Sequence, residues 1–301
     1  MAIVKCLVTG AAGFIGSSIV DELVKRGHKV IALDDESANN EIFFWNKEAE
    51  NYKLSICNYE AIFPLFENID YVFHLAAESR IVSAIENPLK TYNVNIIGTH
   101  NVLKSAQINK IKRIVFSSTS SIYGSNRSPN SELDNDNCLN PYSISKLASE
   151  KICKFFLNTY NLPVTILRYF NVFGDRAPSN GFYAPVTSIF LKQYKEKKSL
   201  TVVGDGHNKR DFIHVNDVVK ANLDFCFFEQ KKTFNDVFNV GSSTNISILR
   251  LAKLISNNIE FIPARIGEAK TTLADIKRIN SIIDWLPSIS VENWIKKKIS
   301  S

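Results

Sequence analysis

Tyr142 and Lys146 stand four residues apart in "NPYSISKLASEK" (residues 140–151). Positions i and i+4 of a helix share a face. Pro141 suits a first helical turn, because its missing N–H has no partner to lose there. A free phenol has a pKa near 10 and is a poor base at neutral pH. An ammonium beside it favours the phenolate, and such a pair can exchange a proton with a substrate hydroxyl. A YxxxK spacing is common, so alone it reads equally as a surface Tyr–Lys pair. Upstream, the apolar run in "IVFSSTSSIYG" (residues 114–124) ends in a cluster of hydroxyls. One of them can orient a reacting hydroxyl or carbonyl; the plain alternative is a serine-rich turn.

A third group of residues suits a phosphate ligand. "VTGAAGFIG" places Gly10, Gly13 and Gly16 between an apolar run and an amphipathic stretch. Glycines allow a tight turn and let backbone N–H groups approach a pyrophosphate, and a helix N-terminus adds favourable partial charge. A glycine triplet alone is a weak signal. Here the next apolar run ends in Asp34, at the distance where a dinucleotide's ribose needs an acid. A carboxylate there accepts ribose hydrogen bonds and repels a 2′-phosphate, which favours NAD over NADP. Asp35 takes that role if the strand ends one residue later. A positively charged nicotinamide ring would also favour the Tyr142 phenolate.

These residues need elements to carry them. "IVKCLVTG", "KVIALDD", "YVFHLAA", "RIVFSST" and "VTILRYF" are short apolar runs, separated by "SSIVDELVKRG", "NPLKTYNVNIIGTHNVLKSAQ" and the Tyr142 helix. Apolar strands alternating with helices indicate an α/β, doubly wound parallel sheet. The hydroxyl cluster falls at the carboxyl edge of that sheet, where ligands bind. Beyond Asn171 the rhythm breaks into loops rich in Gly, Pro, Asn and Ser. We expect a dinucleotide-binding domain over residues 1–171, with residues 211–242 returning to it. A smaller C-terminal substrate lobe takes up most of 172–301.

In this order, with GxxGxxG spacing, the sequence resembles the extended short-chain dehydrogenase/reductases, in particular their NAD-dependent nucleotide-sugar epimerase and dehydratase group. The resemblance runs over nearly the whole chain. It implies a Rossmann-type domain that binds NAD through Gly10, Gly13, Phe14, Ile15, Gly16, Asp34, Asp35, Ile56, Leu75, Ala76, Ala77, Asn95, Ser117, Tyr142, Lys146 and Tyr169. "HLAAES" (residues 74–79) resembles the family's fourth-strand motif. Thr119 falls where the family places its catalytic Ser or Thr, and Tyr142 and Lys146 match its base and helper. "RYFNVFG" matches the segment in which Asn171 reaches the substrate diphosphate. "GDGHNKRDFIHVNDV" matches a signature in which Arg210 grips it. "ARIGE" is similar to the RPGD element, where Arg265 binds phosphate and Glu268 meets the nucleotide ribose. Ser79, Thr119 and Tyr142 complete the substrate side, with Thr272 beside the C2 substituent of the sugar. "DWLPSISVENWI" resembles the closing WxP helix. Ile266 replaces the proline of RPGD, and "KLSIC" offers Ser55 where an adenine-contact acid is usual.

Dehydratases of the group carry Asp-Glu after the catalytic threonine, whereas Ser120 and Ser121 follow Thr119. The reading is therefore 4-epimerisation of a UDP-hexose, with or without a 2-N-acetyl group, through a transient 4-keto sugar. The alternatives are another outcome of that keto intermediate, such as decarboxylation or reduction, or an NAD sensor without chemistry. Family members are usually dimers, joined by two helices that here cover residues 87–108 and 141–160.

Composition narrows the remainder. The chain has 301 residues, is 45% hydrophobic and carries a formal net charge of +6. Its lysines are dense only in "KEKK" and "KKK", so solvated helix ends explain them better than nucleic acid does. A mild positive balance suits an anionic small molecule. No apolar run spans a bilayer and the first residues enter a strand pattern directly. The five cysteines form no CxxC pair; reduced thiols in a cytoplasmic protein are expected, without zinc or another metal.

Overall fold

A computed structural model describes residues 2–38, 42–179, 184–228, 236–264 and 269–300. The chain divides into two compact units. The first is made of Met1–Thr119, Asn140–Arg168 and Val219–Phe238; the second of Ser120–Leu139, Tyr169–Val218 and Asn239–Ser301.

The first unit is built on a parallel, seven-stranded, doubly wound sheet. Its strands are β1 (Lys5–Thr9), β2 (Lys29–Asp34), β3 (Glu50–Lys53), β4 (Tyr71–His74), β5 (Arg113–Thr119), β6 (Val164–Tyr169) and a late strand, Val237–Val240. In space that late strand comes first, followed by β6, β5, β4, β1, β2 and β3. The order reverses at β1, so the C-terminal ends of β1 and β4 flank a crevice of the kind that receives ligands. All seven residues of β5 and all six of β6 are buried. Burial on both faces explains why their centres, Ile114–Phe116 and Ile166–Leu167, are continuously apolar rather than alternating. Helix α1 (Phe14–Lys25) follows β1 and turns Ile19, Val20 and Leu23 into the core. Short helices α2 (Tyr59–Ile62), α3 (Ile81–Glu86) and α4 (Pro88–Tyr92) lead to one turn of π-helix at Asn93–Gly98 and then to α5 (Thr99–Ile108).

Helix α6 (Pro141–Tyr160) is the one that carries Tyr142. Asn140 caps it: the Asn140 side chain accepts from Ser143 N, and Ser143 Oγ accepts in return from Asn140 N. Its buried face is mostly polar, with Ser143, Ser145, Lys146, Ser149 and Glu150. Apolar Ile144 and Phe155 face outward, 46% and 52% exposed. An ordinary surface helix shows the reverse pattern. Buried polar groups persist only when hydrogen-bonded, so the inward face of α6 has to be a hydrogen-bonded site.

The second unit adds three two-stranded pairings. β7 (Asn171–Phe173) pairs with β10 (Phe212–His214), β8 (Leu200–Val203) with β13 (Ile259–Ile262), and β9 (Lys209–Arg210) with β12 (Ile246–Ser247); β11 is the late strand Val237–Val240. Its core gathers Phe173, Phe190, Leu200, Val202, Leu251 and Ile295. Two buried carboxylates organise its loops. Asp211 accepts from Ser242 N, Ser242 Oγ, Ser243 N and Ala274 N at 2.6–3.0 Å. Asp217 accepts from Ser288 N, Ser288 Oγ and Ile289 N, and its carbonyl takes the Trp285 indole N–H.

These bonds explain where the division falls. The expected return of residues 211–242 to the first unit shrinks to 219–238, because Asp211 and Asp217 bind their neighbourhood to the second. Residues 120–139 also join the second unit. Tyr123 donates to Asn239 Oδ1 at 2.6 Å, Glu132 accepts from Asn239 N, and Asn130 N donates to Leu273 O. Among the described residues, no helix is long and apolar enough to cross a membrane.

Candidate active site

The glycine loop follows β1 and opens α1. Gly10 has φ +68°, and a Cβ on it would lie 2.8 Å from Ala76 N. A Cβ on Gly16 would lie 2.0 Å from Gly10 O. Both positions therefore admit only glycine, one for the left-handed turn and one for the approach of helix to strand. A Cβ on Gly13 would meet only Gly10 O, at 3.4 Å. The space beside Gly13, against the N-terminal turn where Phe14 and Ile15 begin α1, fits a pyrophosphate. β2 ends at Asp34, whose Oδ2 accepts from Ala12 N at 3.1 Å and whose Oδ1 accepts from Glu36 N at 2.8 Å. Burial pushes the Asp34 carboxyl up, against the pull of these two N–H groups. Asp35 lies past the strand end and caps a turn at Ser37 N.

Next to the loop, a buried chain of hydrogen bonds fixes the end of β4. Thr9 Oγ1 accepts from Leu75 N and Ala76 N at 3.2 and 3.1 Å, and lies 2.7 Å from His74 Nδ1. With its lone pairs occupied, the hydroxyl has to donate to Nδ1. His74 then carries its proton on Nε2, which donates to Thr99 Oγ1 at 3.0 Å. Burial, aided by Lys146, pushes this imidazole down to about 3, so it stays neutral. Leu75, Ala76 and Ala77 are thereby presented beside Gly10. Ile56 is buried in the same unit, against Gly98.

The proton-transfer candidates meet where β5 ends against α6. Thr119 hydrogen-bonds the Tyr142 phenol. Burial pushes that phenol up, and the Thr119 bond pulls it down. Lys146 Nζ donates to Ser117 O at 2.6 Å and sits 4.6 Å over the Phe116 ring. Burial lowers Lys146 to about 8, with Cys153 and Glu150 acting the other way. One turn further along, Ser118 Oγ donates to Glu150 Oε1 at 2.5 Å. Arg168 on β6 closes on the same carboxylate through Nε and Nη2, at 2.9 and 2.8 Å. Residues 142, 146 and 150 thus hold three consecutive residues of β5. Ser118, Glu150 and Arg168 were not among the residues expected from sequence. Their signal is the spacing of Glu150, eight residues after Tyr142 and on the same helical face.

Asn95, expected near the cofactor, spends its side-chain bonds within the first unit. It is buried in the π-turn with its amide committed: Oδ1 accepts from Glu78 N, and Nδ2 donates to Glu78 O and Ser145 Oγ at 2.8–2.9 Å. Both amide hydrogens are spent, so Asn95 ties the loop that carries Ser79 to helix α6.

In the second unit, Asn171 and Thr272 come together. Asn171 Nδ2 donates to Asp211 O and to Thr272 Oγ1, and Thr272 Oγ1 also accepts from Asp211 N at 3.1 Å. The Arg210 guanidinium donates to Lys209 O and Lys270 O at 3.1 and 3.3 Å. Arg210 also lines a cavity of about 420 Å³ with Phe212, Asn245, Ser288, Ile289 and Glu292. Tyr169 is buried at the end of β6. Arg265 and Glu268 lie outside the described residues.

Comparison with known proteins agrees with this geometry. The family model described as "NAD dependent epimerase/dehydratase family" matches residues 6–241. A putative UDP-glucose 4-epimerase of Methanocaldococcus jannaschii is 34% identical, over 98% of this chain and 97% of its own length. A UDP-N-acetyl-alpha-D-glucosaminuronate decarboxylase of Bacillus cytotoxicus is 32% identical, over 98% and 96%. The crystal structure of a UDP-glucose 4-epimerase from Thermotoga maritima with UDP-glucose superposes with a TM-score of 0.93 at 32% identity, covering 98% of this chain and 97% of that one.

Proposed function

The chain belongs to the NAD dependent epimerase/dehydratase family, and from that premise we propose that it is a UDP-hexose 4-epimerase. The observation that carries this reading is the contact of Tyr142 with Thr119 beside a buried Lys146, at a strand end followed by Ser120 and Ser121. In this reading Tyr142 takes the proton of the sugar's C4 hydroxyl and later returns it. Thr119 orients that oxygen, and the Lys146 ammonium favours the phenolate. NAD, when bound, supplies the acceptor and donor for the C4 hydrogen. It would be held by Gly10, Gly13, Gly16, Asp34 and Lys146, with Asp34 favouring it over NADP. Removal of a substrate hydroxyl would call for an acid after Thr119, and two serines stand there instead.

On the substrate side, Asn171, Arg210, Arg265 and Glu268 would bind the diphosphate and the nucleotide ribose. The planar fork of arginine bonds phosphate oxygens in pairs. Thr272 is far smaller than a tyrosine and its hydroxyl is turned to Asp211 N and Asn171. The space at C2 would then admit an N-acetyl group, so UDP-N-acetylglucosamine would be epimerised as well as, or better than, UDP-glucose. We also infer a cytoplasmic homodimer. Leu89, Ile97, Ile144 and Phe155, all at least 46% exposed, lie on the two helical stretches expected to join subunits.

NMR of reaction mixtures with UDP-glucose, UDP-N-acetylglucosamine and UDP-glucuronate tests the reading. Interconverting C4 epimers are expected. Carbon dioxide or a deoxy sugar as product would replace it with the decarboxylase or dehydratase reading, and NAD binding without turnover would indicate a sensor. Turnover of UDP-glucose with none of UDP-N-acetylglucosamine would refute the assignment of Thr272.

A further inference from the structure

Ser118, Glu150 and Arg168 take no part in the chemistry proposed above, yet they sit directly behind it. All three are buried, with Glu150 1% and Arg168 4% exposed. A buried ion pair is an expensive way to fill space, because desolvation of two charges is seldom fully recovered and apolar packing serves as well or better. Its position suggests a purpose. Ser117 is held by Lys146, Ser118 by Glu150 and Thr119 by Tyr142. The middle one of these three contacts is anchored in turn to β6 through Arg168. We propose that Glu150 is a positioning residue for the epimerisation reaction: through Ser118 it sets the end of β5 against α6, and its charge keeps Lys146 an ammonium. The inference rests on the function proposed above.

The charge argument follows from what faces Lys146. On its own helix these are Tyr142, Glu150 and Cys153; from β4 comes His74; from β5 come the Ser117 carbonyl and the Phe116 ring; β6 contributes Arg168 by way of Glu150. Burial keeps the Cys153 thiol and the Tyr142 phenol in their neutral forms, and His74 is neutral. Glu150 is therefore the anion in this set. Without it, burial of Lys146 is opposed by Cys153 alone, whose thiol is neutral, with an uncompensated Arg168 behind it. Both effects favour the neutral amine.

Two variants separate position from charge. Ser118→Ala keeps the ion pair and cuts the link to the strand. It should lower kcat about tenfold with KM for the nucleotide sugar unchanged, and Ser118→Thr should restore most of kcat. Wild-type kcat in Ser118→Ala overturns the positioning half. Glu150→Gln in the NAD-bound protein should move the Lys146 titration down by about one unit, and the alkaline limb of kcat with it. The titration is read by NMR of ε-carbon-labelled lysine, with the signal assigned by Lys146→Met. An unmoved Lys146 titration overturns the charge half. If Glu150→Gln does not fold, Glu150→Leu/Arg168→Met removes both charges and serves the same measurement. Should the wild-type protein epimerise no nucleotide sugar, the functional proposal fails by itself, while the lysine titration still decides this one.

Discussion

Lys146 is held in its site at a cost to the fold. Its pKa is lowered from 10.5 to about 8 by burial, so below about pH 8 the native state carries an ammonium it would rather lose. Between that value and 10.5 the unfolded chain binds more protons than the folded one, and stability from this group rises with pH. Above both values the penalty is gone. Lys146→Met should therefore stabilise the protein without NAD at pH 7, by up to about 3 kcal/mol, while abolishing turnover. Melting curves at pH 7 and pH 10.5 check this; the gain should shrink at the higher pH. Tyr142→Phe removes the phenol and leaves the ring. Turnover should disappear with NAD affinity within a few-fold of wild type, as calorimetry can measure, and activity close to wild type would reassign the base. Tyr142 and Lys146 were legible in the sequence because their chemistry depends on spacing within one helix. Glu150 was not, because its meaning depends on Ser118 and Arg168, which only the sheet brings to it. For Asn95 the sequence shows only an amide, and the fold adds its bonds to Glu78 and Ser145.

Among the elements, β1, β2, β4, β5 and β6 were legible as apolar runs, whereas β3, ENYK and mostly exposed, and β11 were not among them. Helix α6 was legible over residues 141–160, but the polarity of its buried face was not. Its inward serines, Lys146 and Glu150 violate the usual amphipathic pattern, and that violation is itself the mark of a site. The π-turn at Asn93–Gly98 has no sequence signature of comparable strength. The glycine loop allows a sharp test at this scale. In a free helix, alanine at position 16 would be the better residue by roughly 1 kcal/mol. Here its Cβ would stand 2.0 Å from the Gly10 carbonyl oxygen, and both atoms belong to rigid backbone. Gly16→Ala should destabilise the protein by about 1–3 kcal/mol and weaken NAD binding together. Thermal melting and calorimetry on the same sample check it; unchanged values for both would mean that α1 and β1 separate more readily than their packing implies.

For the molecule as a whole, the proposed NAD and diphosphate residues fall in different units. Arg210 lies in the second, and the residues proposed to bind NAD, Tyr169 apart, lie in the first. Arg210→Ala should cut UDP affinity about ten- to hundred-fold, the worth of a charge-assisted hydrogen bond, with NAD affinity unchanged. Loss of both affinities, or of neither, would count against the diphosphate role. The sequence indicated two units; the compact units divide at other residues, because Asp211 and Asp217 act through loops far along the chain. The order of strands has one more effect, felt before the enzyme exists as such. β6 lies between β5 and β11 in the sheet, but β11 starts 68 residues after β6 ends (237 − 169). On the ribosome those residues take roughly ten seconds. Throughout that time the emerging chain presents a largely apolar strand with one row of backbone N–H and C=O groups not yet paired by β11, the condition under which edges associate. A chain cut short just before Val237 should therefore be captured by chaperones or aggregate, whereas one released after Val240 has closed its sheet.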